Sequence, residues 1–210
     1  MKLADRSLRE LLAAIRDPSP TPGGGSVSAL AGALGASLLT MVAAMTKHRA
    51  ASEEDVERLQ AAASRCAELS AALERLVDED SAAYDAVVAA YRLPRGSDAE
   101  KTERRNRIQA ALGAAVETPL EVMRHCNDAI ETAATVARFG NPNAASDVGV
   151  ALELLAAAEK GARLNVDINL AGLDDQAYVG RVRDLVSVLE AEATTGAAAA
   201  RAALQALQSA

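Results

Sequence analysis

The chain has 210 residues, half of them apolar but only 2% aromatic, with one Phe, three Tyr and no Trp. Alanine alone fills 50 positions. The apolar half is therefore mostly small and helix-favouring, and β-branched and aromatic strand formers are too scarce for an all-β fold. The formal net charge is −7 and no Lys/Arg block exceeds two or three residues, so the electrostatic footprint of a nucleic-acid binder is missing.

No linker or shift in composition divides the chain, which predicts one domain spanning residues 1–210. Leu8, Leu11, Leu12 and Ile15 recur at helical spacing over residues 6–16, and the following Asp17-Pro18-Ser19-Pro20-Thr21-Pro22-Gly23-Gly24-Gly25 ends that helix. Ser26 is placed to cap a second helix that reaches about residue 45 and carries no charge. Nothing from Pro18 to Thr46 is ionisable, a length that could cross a bilayer, but Gly, Ala, Ser, Thr and Pro make up much of it. The reading adopted is a central helix buried by its neighbours, with Ser28, Gly32, Gly35 and Ala36 allowing close approach and no membrane partner.

Ser52-Glu53-Glu54-Asp55 resembles a capping signal for a long third helix ending near Arg92. Residues 98–138 read as two helices or as one kinked at Pro119. After a loop at 139–143, Ser146 and Asp147 can cap a helix to about residue 163, and Asp174 or Asp175 opens a last helix towards residue 210. These elements predict an all-α antiparallel bundle of about six helices, some of them long. Cys66 and Cys126 lie far apart with no secretory leader ahead of them, which fits reduced thiols and a cytoplasmic location.

Along the third helix, Leu69, Leu73, Leu76, Val77, Tyr84, Val87, Val88 and Tyr91 follow the three-and-four spacing of one face, and Asp80 falls on the same stripe. Asp78 and Glu79 fall off it and are expected in solvent. A carboxylate directed inward must be paired, hydrogen-bonded or protonated. Desolvation would raise its pKa towards neutrality, as a general acid or base requires; a bond to a backbone amide or to an Arg of another helix is the plain alternative. Pro22-Gly23-Gly24-Gly25-Ser26 leads into a helix N-terminus able to hold an anion or carbonyl, or it is only a tight turn. Asn141, Asn143, Ser146 and Asp147 gather amides, a hydroxyl and a carboxylate in a loop and helix start, where a cap is the expected role of Ser146. Asn165 and Asn169 share a face if that segment is helical, although Asn165-Val166-Asp167-Ile168-Asn169-Leu170 also alternates like a strand; contact with a ligand and buried amides that hold helices together are both open to them. His48, Cys66, His125 and Cys126 show no metal-ligand spacing, and no metal is expected.

Four ordered blocks, PTPGGGSVSALAGALGASLLTMVAAMT, LVDEDSAAYDAVVAAYRLP, GNPNAASDVGVA and GARLNVDINL, resemble the cyclodeaminase/cyclohydrolase family of folate enzymes and together span nearly the whole chain. The resemblance implies an all-helical homodimer that binds a tetrahydrofolate derivative in a cleft near the glycine turn, with no cofactor beyond that substrate. It matches the family's acidic residue to Asp80, with Asp78 as the fallback. Gly23, Gly24, Gly25 and Ser26 are then expected to approach the folate closely, and Asn141 and Asn143, with Asp147, Asn165 and Asn169, to contact it. Family members usually carry a Gly and two or three basic residues after the second helix. Here the sequence is Thr46-Lys47-His48-Arg49-Ala50-Ala51, and Arg49 is the stand-in for a group that steadies the folate's glutamate tail. The implied reactions are hydrolysis of methenyltetrahydrofolate or deamination of formiminotetrahydrofolate. The rival from another class is a non-catalytic helical scaffold or folate-binding protein.

Overall fold

The computed structural model describes residues 2–208. Among these residues there are six α-helices and no strand: α1 (Leu8–Arg16), α2 (Gly24–Ala43), α3 (Glu53–Tyr91), α4 (Asp98–Phe139), α5 (Ala145–Leu170) and α6 (Gln176–Gln208), with a 3-10 turn at Pro142–Ala144 before α5. The predicted all-α bundle is therefore found. Residues 209 and 210, to which the last helix is expected to extend, lie outside the described residues.

Serines start three of the helices. Ser7 and Ser97 form reciprocal capping boxes with Glu10 and Glu100, and the Ser52 hydroxyl accepts from the Asp55 amide. Asp175 accepts from the Tyr178 amide at the head of α6. Two expected caps differ. Ser26 lies inside α2, whose N-cap is Gly23. Ser146 lies inside α5, because the 3-10 turn already carries the chain into the helix and Ala144 takes the cap position. The segment holding Asn165 and Asn169 is helical, and α5 runs on to Leu170: Val166 and Leu170 are buried while Ile168 is exposed, a helical rather than an alternating pattern.

α4 passes through Pro119 as one helix of 42 residues. Proline has no amide to donate, which leaves the carbonyl four residues back without its helical partner. That carbonyl is Ala115's, and Asn169 Nδ2 of α5 donates to it at 2.8 Å. A side chain from the neighbouring helix thus supplies the missing bond.

α2 runs antiparallel to α3, with Gly25 beside Asp80, Gly32 beside Leu73 and Ser37 bonded to Ser70. It is also antiparallel to α5, with Ser28 beside Gly161 and Gly35 beside Leu155. The uncharged α2 is long and apolar enough to cross a membrane by length and composition, but Ala29, Ala33, Ala36, Leu39 and Val42 are buried in the core. A second set, Val27, Leu34 and Met41, is exposed along one stripe, and Leu164 and Ile168 of α5 are exposed as well. Cys66 and Cys126 are both free and buried, and burial pushes the Cys66 thiol up to about 12.

Candidate active site

The α2–α3 register explains where the apolar stripe of α3 ends. From Leu59 to Val77 its inner positions are buried. α2 begins opposite Asp80, so the remainder of α3 projects beyond it. Tyr84 and Tyr91, expected in the core, are 41% and 51% exposed. Asp80 is at this boundary, half-buried rather than enclosed.

Its carboxylate faces the start of α2. Oδ2 accepts from the Ser26 amide at 2.8 Å and from the Ser26 hydroxyl at 2.9 Å. Ser26 is the third residue of α2, and the N-cap Gly23 offers no side chain, so Asp80 takes over the bond that a capping residue would make. The same helix end places partial positive charge beside the anion. Gly25 makes the approach possible: a Cβ there would meet Oδ1 at 2.0 Å. Burial pushes the Asp80 pKa above the ordinary carboxylate value, and the two Ser26 bonds pull it partly back. No hydrogen bond to Oδ1 forms among the described residues, which leaves that oxygen available to handle a proton.

α5 completes this end of the bundle. Gly24 lies near Asn165, whose Nδ2 donates to the Gly161 carbonyl at 2.8 Å. Ser28 donates to the Gly24 carbonyl at 2.7 Å. Gly161 has no side chain to obstruct it, since a Cβ there would lie 2.3 Å from Ser28 Oγ.

The remaining predicted site residues are elsewhere. Asn141 accepts from the Asn143 amide at 2.9 Å and its Nδ2 lies 3.4 Å from Met45 Sδ. The Arg49 amide donates to the Phe139 carbonyl at 2.8 Å, and Asp147 is in the first turn of α5. These residues surround the C-terminal end of α2. A 20-residue helix is about 30 Å long, so within one chain Arg49, Asn141, Asn143 and Asp147 do not meet Asp80. Asn169 bonds Ala115 and serves the helix pair. Asp78, expected in solvent, is half-buried and accepts from the backbone amides of Leu3 and Ala4 at 2.5 and 3.4 Å; it anchors the N-terminal arm.

Sequence alone leaves two partners unassigned, that of Ser81 and the carbonyl bonded by Asn169, whose role as a buried amide joining helices is one of the two open to it. Ser81 Oγ lies 3.2 Å from Ser26 Oγ, which no periodicity signals. The Asn169–Ala115 bond has a legible cue, because Pro119 implies an orphaned carbonyl at position 115.

With this geometry in place, comparison with known proteins is decisive. The family described as formiminotransferase-cyclodeaminase matches residues 7–188. The chain belongs to this family. Within it, a methenyltetrahydrofolate cyclohydrolase of Methylorubrum extorquens is 37% identical over 186 residues, covering 88% of this chain and 89% of that one. A formimidoyltransferase-cyclodeaminase of Rattus norvegicus is 34% identical over 97% of this chain, which spans 38% of the rat protein. Among solved structures, formiminotetrahydrofolate cyclodeaminase from Thermotoga maritima superimposes with a TM-score of 0.86 at 27% identity, covering 98% of this chain and 99% of that one.

Proposed function

We propose that Asp80 is the general acid/base of a folate one-carbon reaction at the carbon bridging N5 and N10 of tetrahydrofolate. The chain is an enzyme of this chemistry, as the cyclohydrolase and cyclodeaminase relatives aligned over most of its length support. The observation that carries the role of Asp80 is its placement: a half-buried carboxylate held by Ser26 through Oδ2, with Oδ1 against Gly25 and without a hydrogen bond among the described residues.

In the hydrolytic direction water adds to the methenyl carbon. Asp80 accepts a proton from that water, steadies the cation electrostatically and assists collapse to the N10-formyl product. In the deaminating direction N10 attacks the formimino carbon, and Asp80 carries the N10 proton to the nitrogen that leaves as ammonia. Gly23 and Gly24 give the folate close access to backbone, Gly25 makes room for Asp80 itself, and Asn165 faces the same end. No cofactor beyond the folate is invoked, and a cytoplasmic location goes with this reading.

A homodimer is part of the proposal. The exposed stripe of Val27, Leu34 and Met41 with Leu164 and Ile168 is the surface it would cover, in preference to a membrane. Arg49, Asn141, Asn143 and Asp147 reach the folate in this scheme only if a second subunit brings them there.

Replacing Asp80 with Asn tests the role against a purely structural one. Asn can still accept from the Ser26 amide but cannot carry the proton. The expected result is loss of turnover of both methenyl- and formiminotetrahydrofolate with the melting temperature and folate binding largely kept. Retained turnover would remove Asp80 from the mechanism, and a collapsed fold with no folate-induced stabilisation would favour the scaffold.

A further inference from the structure

A cavity of about 830 Å³ lies between the N-terminal arm and the face of α3 that carries Asp78, Ser81 and Asp85. Asp80 does not line it, but Ser81 does. Ser81 Oγ is 3.2 Å from Ser26 Oγ, and Ser26 Oγ is 2.9 Å from Asp80 Oδ2. Two hydroxyls therefore connect the cavity to Oδ2 of Asp80. A serine hydroxyl donates one hydrogen bond and accepts others, so both hydroxyls can point the same way along this chain.

We propose that Ser81 and Ser26 form a proton relay that exchanges protons between water in this cavity and Asp80. The proposal rests on the acid/base reading of Asp80. In the charging step Ser26 passes its hydroxyl proton to Oδ2 as it takes the proton of Ser81, and Ser81 takes one from a hydronium ion in the cavity. The net change is one proton moved from the cavity to the carboxylate, with a neutral water left behind and only O–H bonds exchanged. A carboxyl that already holds its proton on Oδ1 releases that proton to the folate side in the same event in which Oδ2 takes the one from Ser26, so Asp80 never carries more than one proton, and the reverse sequence discharges it. The folate side and the solvent side of the carboxylate are thus different oxygens, so bulk water need not pass the bound folate to reset the enzyme. Ser81 is a positioning residue that acts through Ser26 and Asp80. Asp78 keeps the cavity wall in place by holding Leu3 and Ala4.

The test compares Ser81→Ala with Ser81→Thr, which restores the hydroxyl, using whichever of methenyl- or formiminotetrahydrofolate the protein turns over. Turnover is measured in mixtures of H₂O and D₂O, alongside Asp80→Asn. The expected result is a kcat lowered roughly tenfold in Ser81→Ala with KM unchanged, a smaller loss than the 10²–10⁴ typical of removing a positioned acid or base. Ser81→Thr should recover most of the rate. The wild-type rate should curve with deuterium fraction because several protons move together, and Ser81→Ala should reduce that curvature. A Ser81→Ala variant with wild-type kcat and wild-type curvature overturns the relay; if Asp80→Asn is inactive in the same assay, the role of Asp80 stands without it. Equal losses in the Ala and Thr variants assign Ser81 to packing and also overturn the relay. An active Asp80→Asn overturns the acid/base reading, and the relay with it.

Discussion

Asp80 occupies the space in which any residue other than glycine at position 25 would place its side chain. A Cβ on Gly25 would lie 2.0 Å from Oδ1 and 2.5 Å from Cγ. No described glycine has a positive φ, so this turn needs glycine for close approach and not for backbone freedom. Gly25→Ala is expected to force the carboxylate off Ser26, lowering kcat at least tenfold and stability by about 1–3 kcal/mol through the lost charged hydrogen bonds. Gly24→Ala, whose Cβ would make only an ordinary contact at 3.6 Å with Asn165, should fold with wild-type stability. Melting curves and steady-state kinetics of the pair check both statements.

Asn169 and Pro119 form a thermodynamic couple. Removing the Asn169 amide leaves the Ala115 carbonyl without a donor, so Asn169→Ala should cost about 1–3 kcal/mol. In a Pro119→Ala background residue 119 regains its amide and can close on Ala115 within the helix, so the same substitution should cost less. A double-mutant cycle by chemical denaturation reads the difference. Additive effects would show that the bond to Ala115 does not compensate for the proline.

Glu159 is 6% exposed, and its Oε1 has no hydrogen-bond partner. Burial, reinforced by Glu190 of α6 and opposed by Lys160 and Arg163 of its own helix, raises its pKa from 4.5 to about 7. The folded state therefore holds this proton more tightly than the unfolded state, and the resulting stability is present below about pH 4.5 and lost as pH rises through about 7. Glu159→Gln should match the wild type near pH 4 and exceed it at pH 8 by about 1–3 kcal/mol, at about 1.4 kcal/mol per pKa unit. Denaturation midpoints at the two pH values measure this, and a pH-independent difference would contradict it.

Leu34 is 51% exposed at the middle of the apolar stripe of α2. Leu34→Glu would place a charge in the centre of the proposed dimer surface, where desolvation without a partner is costly. Sedimentation should then show a monomer where the wild type is expected to sediment as the proposed dimer, with helicity unchanged.

The helices were legible because their signals are local. Ser52 and Asp175 are caps in sequence and in structure, and the leucines of α3 repeat at helical spacing. Asp80 was legible as a carboxylate on that spacing, where an apolar residue is expected. Its partner was not, because Ser26 lies 54 positions away and reads locally as a cap. Tyr84 and Tyr91 were misplaced for a related reason: periodicity gives the face of a helix but not where the neighbouring helix begins. The four sequence blocks suggested a single gathered site, yet the antiparallel path of α2 and α5 sends Asn165 to one end and Asn141 to the other. Only the three-dimensional register separates them.

The grip of Asp78 on the amides of Leu3 and Ala4 has a practical corollary for recombinant work. An affinity tag or carrier protein joined ahead of Leu3 would emerge two helical positions from Asp80, against the wall of the cavity. A fusion at that end therefore becomes a variable in any kinetic comparison, and a tag on the far side of α6 provides the cleaner reference preparation.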